Sequence, residues 1–168
     1  MSARIPALLR PPAPGAAVTL TIRGEPASKA NSREIVTIRR RDPGSGELRA
    51  SPRVRKSDKA LAFERAALLQ IPAECRRRLT GPVRVTIRIF YASERPDLDE
   101  SVLLDVLQDR YRTLKTKCRT VRELVCSGVY RNDRQVREKH VYHGIDRASP
   151  RAEIVIEPIH AQQSELQL

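Results

Sequence analysis

Apolar and polar residues alternate in several short stretches, each of which reads as a strand with one face buried. Val18, Leu20 and Ile22 alternate with Thr19, Thr21 and Arg23, and Ile35 to Arg39 forms a second such stretch. Val83, Val85, Ile87 and Ile89 alternate with Arg84, Thr86 and Arg88. Near the end, Ile154 and Ile156 turn inward between Glu153 and Glu157. Val136 to His143 reads as a further strand, charged enough to suit a sheet edge.

Helical spacing takes over twice. Ala60, Phe63, Ala67 and Leu68 share a face over Asp58 to about Gln70, with Ser57 as N-cap, Asp58 at the positive end and Glu64 intruding on the apolar side. After Asp99, the residues Leu103, Leu107, Tyr111, Leu114, Cys118, Val121 and Val125 are spaced by four or three. They predict one long helix, or two separated near Thr116 to Thr120. Asp105 and Asp109 fall off that stripe and are expected to be solvated, the alternative being a pocket shared with Asp97 and Asp99.

Between these elements lie a turn-rich loop over residues 24–33 and a hairpin-like turn at Pro43-Gly44-Ser45-Gly46. The return through Leu48 to Val54 reads as irregular and basic. The proline-rich residues 1–16 read as a flexible arm, residues 17–158 as one domain, and residues 159–168 as a polar tail. Strands near both ends with a helix between strand groups predict an α+β (mixed α/β) domain.

Charge narrows the partner. Lys and Arg total 32 against 20 Asp and Glu, so the chain carries +12 and favours a polyanion, nucleic acid first. A charge-solubilised surface, or a basic protein packing against RNA, is the alternative. With no Trp, two Phe and four Tyr, the chain lacks the aromatics to stack a single strand and also build a core. Phosphate contacts on duplex or branched DNA fit better. Cys75, Cys118 and Cys126 form no CxxC pair, which argues against a disulfide framework or a zinc site and suits a reducing cytosol. No segment approaches the roughly 18 apolar residues of a membrane span, so a soluble, cytoplasmic protein is expected.

Candidate chemistry centres on Arg95-Pro96-Asp97-Leu98-Asp99-Glu100. If the strand from Val83 runs on, Asp97 and Asp99 project to one face and repel each other. A divalent cation such as Mg²⁺ relieves that repulsion by taking carboxylate oxygens as ligands. The other reading is a polar turn with Asp99 as N-cap of the following helix. Asp133 adds a third carboxylate from a separate turn at Asn132-Asp133. His140 and His143, three apart on a strand, face opposite ways and do not suggest a metal pair.

Asp97-Leu98-Asp99, then Leu104-Asp105-Val106-Leu107, then Gly128-Val129-Tyr130-Arg131-Asn132-Asp133-Arg134-Gln135-Val136, resemble the motifs of the RusA family of Holliday-junction resolvases. Ser28 to Arg33 is similar to a loop many members carry. The resemblance implies a small mixed β-sheet packed with two to three helices, a homodimer, and Mg²⁺-dependent cleavage of four-way DNA junctions in recombination and repair. It implies that Asp97, Asp99 and Asp133 are the catalytic, metal-binding aspartates. The chain departs from the pattern at Glu100, where asparagine is usual, in having no lysine over Ser101 to Leu104, and in a longer stretch over residues 110–127. Lys115 and Lys117 are candidates for the absent lysine. Candidate DNA contacts are Lys29, Arg33, Arg49, Arg53, Lys56 and Lys59. A catalytically weakened DNA-binding module of the same fold, or a basic RNA-associated protein, are the rival readings.

Overall fold

A computed structural model describes residues 16–28, 31–116 and 119–159. Its elements are β1 (Val18–Arg23), β2 (Arg33–Arg41), β3 (Leu48–Lys56), α1 (Asp58–Gln70), β4 (Val83–Tyr91), α2 (Ser101–Leu107), β5 (Arg110–Lys115), β6 (Thr120–Cys126), β7 (Val136–Ile145) and β8 (Arg151–Pro158). The fold is α+β, as the alternation of strand and helix patterns predicts. The N-terminal arm through residue 15 and the tail from residue 160 lie outside the described residues.

The body is a four-stranded sheet in the order β1-β8-β4-β7, with β4 and β7 parallel and the other neighbours antiparallel. Strict alternation on β4 buries Val83, Val85, Ile87, Ile89 and Tyr91 completely. Ala152, Ile154 and Ile156 of β8 join them, as do Val18, Leu20 and Ile22 of β1. These residues form one core cluster with Ala60, Phe63 and Ala67 of α1 and Val102, Leu103, Val106 and Leu107 of α2. The arrangement is a mixed sheet whose apolar face packs with the helices in one core. Ser57 caps α1 as expected, its Oγ accepting the Ala60 N–H at 3.2 Å. β7 takes the sheet edge that its charge predicts.

Two antiparallel ribbons stand apart from this sheet, β2–β3 and β5–β6. β2 and the turn after it lie where the sequence puts them, whereas β3 and the β5–β6 hairpin correct the sequence reading. Leu48 to Val54 is not irregular: β3 pairs with β2 without a register break from Arg33↔Lys56 to Arg41↔Leu48. Its pattern is hard to read because neither face of the ribbon is buried, and Pro52 is tolerated because the ribbon has no central strand.

The apolar stripe after Asp99 is not one helix or two. α2 ends at Leu107, Gln108 turns extended, and residues 110–126 fold back as a hairpin. Leu114 and Val121, seven apart, match two helical turns but here face each other across the hairpin. The β-branched residues Thr113, Thr116, Thr120, Val121 and Val125 favour the extended form. Cys118, a member of that stripe, lies outside the described residues, as does Lys117.

Candidate functional site

The acidic motif sits in a loop. β4 stops at Tyr91, and residues 92–100 bend instead of continuing the strand. Asp97 and Asp99 therefore do not share a face: Asp97 is exposed, whereas Asp99 is 8% exposed. The buried Tyr91 hydroxyl pins the loop, donating to the Asp97 carbonyl at 3.2 Å and accepting the Asp99 N–H at 3.3 Å. Burial pushes this phenol above its ordinary pKa, with the nearby carboxylate of Asp99 adding to the effect. The His143 ring stacks on Tyr91 with centroids 5.3 Å apart. Asp99 Oδ1 accepts the Ser101 N–H at 2.9 Å and so satisfies one of the unpaired donors that open α2. The N-cap of α2 is Glu100 and not Asp99, and the Glu100 side chain makes no capping bond but pairs with Lys139 of β7.

Asp133 begins a single 3₁₀ turn, Asp133–Gln135, whose construction explains the spacing of its motif. Asn132 accepts the Arg134 N–H at 3.0 Å, while Gln135 Oε1 accepts the N–H groups of Arg131 at 2.8 Å and Asn132 at 3.2 Å. The Gln135 amide donates to the carbonyls of Leu79 at 2.9 Å and Gly81 at 2.7 Å, tying the turn to the sheet body. Held in this way, the Asp133 carboxylate stays exposed, and it has no hydrogen-bond or ionic partner among the described residues. Beneath it Tyr130 is fully buried, its hydroxyl donating to the Leu104 carbonyl at 3.0 Å. Burial, then the charges of Asp133 and Asp105, drive the Tyr130 pKa far up.

Asp133 opens onto a cavity of about 200 Å³ lined by Ser32, Arg33, Lys56, Ser101, Val102, Leu104 and Asp105. The structure thus brings together Asp133, Asp105, Arg33 and Lys56. Asp97 and Asp99 are not part of the lining, although Ser101, whose N–H Asp99 accepts, is.

Lys56 organises the cavity wall. Its Nζ lies 2.6 Å from Asp105 and 2.9 Å from Glu64, and Glu64 also takes Arg110 at the start of β5. The charged intruder on the apolar face of α1 therefore joins the bases of both ribbons. Burial pushes the Glu64 carboxyl up, but the bonds from Lys56 and Arg110 outweigh this and hold it below its ordinary value. Burial likewise opposes the charge of Lys56, and the hydrogen bonds it donates to Asp105 and Glu64 raise its pKa overall.

The expectation that Asp105 and Asp109 are solvated is corrected. Asp105 is ion-paired and faces the cavity. Asp109 is 6% exposed, bonded to Arg78 at 2.8 Å, to the Gly128 N–H at 2.8 Å and to the Tyr111 hydroxyl at 3.1 Å. Burial raises the Asp109 pKa and these donors overcome it, so its carboxyl is held low.

The proposed DNA contacts divide. Arg33 and Lys56 pair at the base of the β2–β3 ribbon and line the cavity. Arg49 and Arg53 lie on the ribbon's opposite face, by alternation of the pleat. Lys59 begins α1, 3.8 Å from Glu25. Lys29 lies outside the described residues. Lys115 ends β5 and is not among the cavity's lining residues; the lysine the cavity holds is Lys56.

Asp105 entered the sequence reading only as an alternative pocket residue and a member of a motif, and Glu64 was not legible as a site residue. A carboxylate on a helix's apolar face, such as Glu64, is nevertheless a signal for a buried cationic partner.

Among the described residues, no three His, Cys, Asp or Glu side chains gather into a group that would hold a metal ion. The cavity's two carboxylates suit Mg²⁺ in kind, since Mg²⁺ commonly takes one or two protein carboxylates and completes its shell with substrate phosphate and water. No family model matches the chain, and no curated protein matches it. Among the described residues, no helix is long and apolar enough to cross a membrane.

Proposed function

We propose that the protein is a Mg²⁺-dependent, structure-selective endodeoxyribonuclease of the RusA type, acting on four-way DNA junctions in recombination and repair. The observation that carries this reading is the cavity in which Asp133 and Asp105 face Lys56 and Arg33 at the foot of a basic ribbon. Carboxylates to hold a hard cation and cations to receive phosphate are the two requirements of phosphodiester hydrolysis without a side-chain nucleophile.

In this reading Asp133, which faces the cavity, acts with Asp97 and Asp99, carried on the loop that leads into Ser101 of the cavity lining. A bound Mg²⁺ would supply Lewis-acid polarisation of the phosphoryl group and a water of lowered pKa. The protein's own groups do the rest. Tyr91 and Gln135 fix the two loops that carry the aspartates. Arg33 and Lys56 meet the phosphate, and Asp105 keeps the Lys56 ammonium charged and aimed. A twofold dimer would present two such sites to a junction of approximate twofold symmetry.

A catalytically weakened DNA-binding module is the second reading, favoured by the placing of Asp97 and Asp99 outside the lining of the cavity that Asp133 faces. Incision of a synthetic four-way junction separates the two. Nicked products in Mg²⁺ that vanish in EDTA are expected; intact junction in both conditions, with binding retained, favours the module. Comparable affinity for duplex RNA and junction DNA points instead to an RNA-associated protein.

A further inference from the structure

The two faces of the β2–β3 ribbon are chemically different, and the difference is not explained by the cavity at its base. One face carries the cross-strand pairs Arg33/Lys56, Ile35/Val54, Thr37/Pro52, Arg39/Ala50 and Arg41/Leu48. It holds four cations and no carboxylate of its own. The other face also carries four cations, Arg40, Arg49, Arg53 and Arg55, but Arg55 is paired to Glu34 and Arg49 to Asp42, and its apolar residues Val36 and Ile38 are half-covered. On the acid-free face Ile35 is 75% exposed, Val54 60% and Leu48 67%. Large apolar side chains left this far in water, on a face where Arg33, Arg39 and Arg41 have no ionic partner among the described residues, mark a surface that meets a partner.

The charge commits the partner to a polyanion. Arg39 and Arg41 have no ionic partner among the described residues, and this face adjoins the cavity through Arg33 and Lys56. A two-stranded ribbon fits a nucleic-acid groove, and proteins that bend or open duplexes place apolar wedges between base steps while cations hold the flanking phosphates.

We infer that the acid-free face of the β2–β3 ribbon is a DNA-opening surface, with Ile35 and Val54 as the wedge and Arg39 and Arg41 as the outer phosphate clamp. The inference rests on the endonuclease reading for its substrate. Successive pairs on one strand face are roughly 7 Å apart. The wedge is therefore about two base steps, at roughly 3.4 Å each, from the phosphate that Arg33 and Lys56 receive. The function of the wedge is to unstack the base step beside the incised bond and give the cavity a splayed backbone.

The test uses a four-way junction with 2-aminopurine placed two nucleotides from the incision site, titrated with the full chain in EDTA. The wild type is expected to bind and raise the fluorescence severalfold. An Ile35→Ser/Val54→Ser variant is expected to bind within about threefold of the wild type, to give no rise, and to incise in Mg²⁺ about tenfold more slowly. Both side chains are exposed, so the fold tolerates the change, and Ile35→Leu is expected to keep the rise. If the double variant binds and still raises the fluorescence, the wedge is wrong while the endonuclease reading stands. If the wild type sediments as a dimer and the double variant as a monomer, the apolar row is an interface between copies and the inference is overturned. A wild type that binds no junction overturns the endonuclease reading, and this inference with it.

Discussion

Lys56 and Asp105 meet at 2.6 Å between the last residue of β3 and the exposed side of α2, and each lines the cavity that Asp133 faces. Lys56 also reaches Glu64 at 2.9 Å, so one ammonium couples the ribbon, the core helix α1 and the acidic wall. Lys56→Met keeps the aliphatic stem and removes that coupling. Two carboxylates lose a shared donor, and a loss of about 1–3 kcal/mol in stability is expected. Junction incision is expected to fall more than junction binding. Thermal unfolding and paired kinetic and binding assays check this; unchanged incision at wild-type stability would remove Lys56 from the site.

Stability should depend on pH through Glu64 and Asp109. Burial alone would raise both carboxyl pKa values, but Lys56 and Arg110 in one case, and Gly128 N–H, Arg78 and Tyr111 in the other, hold them low. A carboxyl with a depressed folded pKa stabilises the fold above its unfolded value of about 4 and loses that contribution as pH falls through the folded value. The melting temperature, followed by circular dichroism, is therefore expected to be steady from pH 7 to 5 by this contribution and to drop below roughly pH 4.5. Glu64→Gln should lessen the drop. A Glu64→Gln profile that falls as steeply as the wild type would contradict this role.

Gly128 is required by contact, not by turn conformation. A Cβ there would stand 2.3 Å from the Gln108 carbonyl carbon, 2.4 Å from the Leu107 oxygen and 2.6 Å from the Asp109 nitrogen. All three are backbone atoms at the point where α2 gives way to the β5–β6 hairpin. Gly128→Ala is expected to cost about 1–3 kcal/mol or more. Gly44→Ala, with nothing within 4 Å, should stay within about 0.5 kcal/mol. Equal melting temperatures for the two variants would refute the contact argument.

Salt dependence separates the ribbon's faces. Each neutralised phosphate contributes about 0.9 to the log–log slope of affinity against salt. Arg39→Ala with Arg41→Ala is expected to lower the slope by roughly 1.8, and Arg49→Ala with Arg53→Ala by less than half of that. The reverse ranking would put the nucleic acid on the opposite face.

The sheet and α1 were legible because their residues alternate, or recur at helical spacing, against one buried face: β1, β4, β8 and α1 all lie where the pattern puts them. Of the ribbons only β2 and its turn at Pro43 to Gly46 were legible, because β3 and β5–β6 have no buried face to impose a pattern. Leu114 and Val121 satisfied a helix and a hairpin equally. At the site, the turn at Asn132-Asp133 could be read from its own chemistry. That Asp105, rather than Asp97 or Asp99, shares the cavity of Asp133 depends on where the chain bends after Tyr91, which local sequence does not encode. Asp109 escaped recognition because its partner Arg78 lies 31 residues away.

The central claim is tested most directly by incubating a synthetic four-way junction with wild type, Asp97→Asn and Asp133→Asn in Mg²⁺ and following nicked product on a denaturing gel. The account predicts incision by the wild type, none by either variant, and junction binding by both variants as tight as the wild type or tighter, since a negative charge near phosphate is gone. Full cleavage by both variants would contradict it.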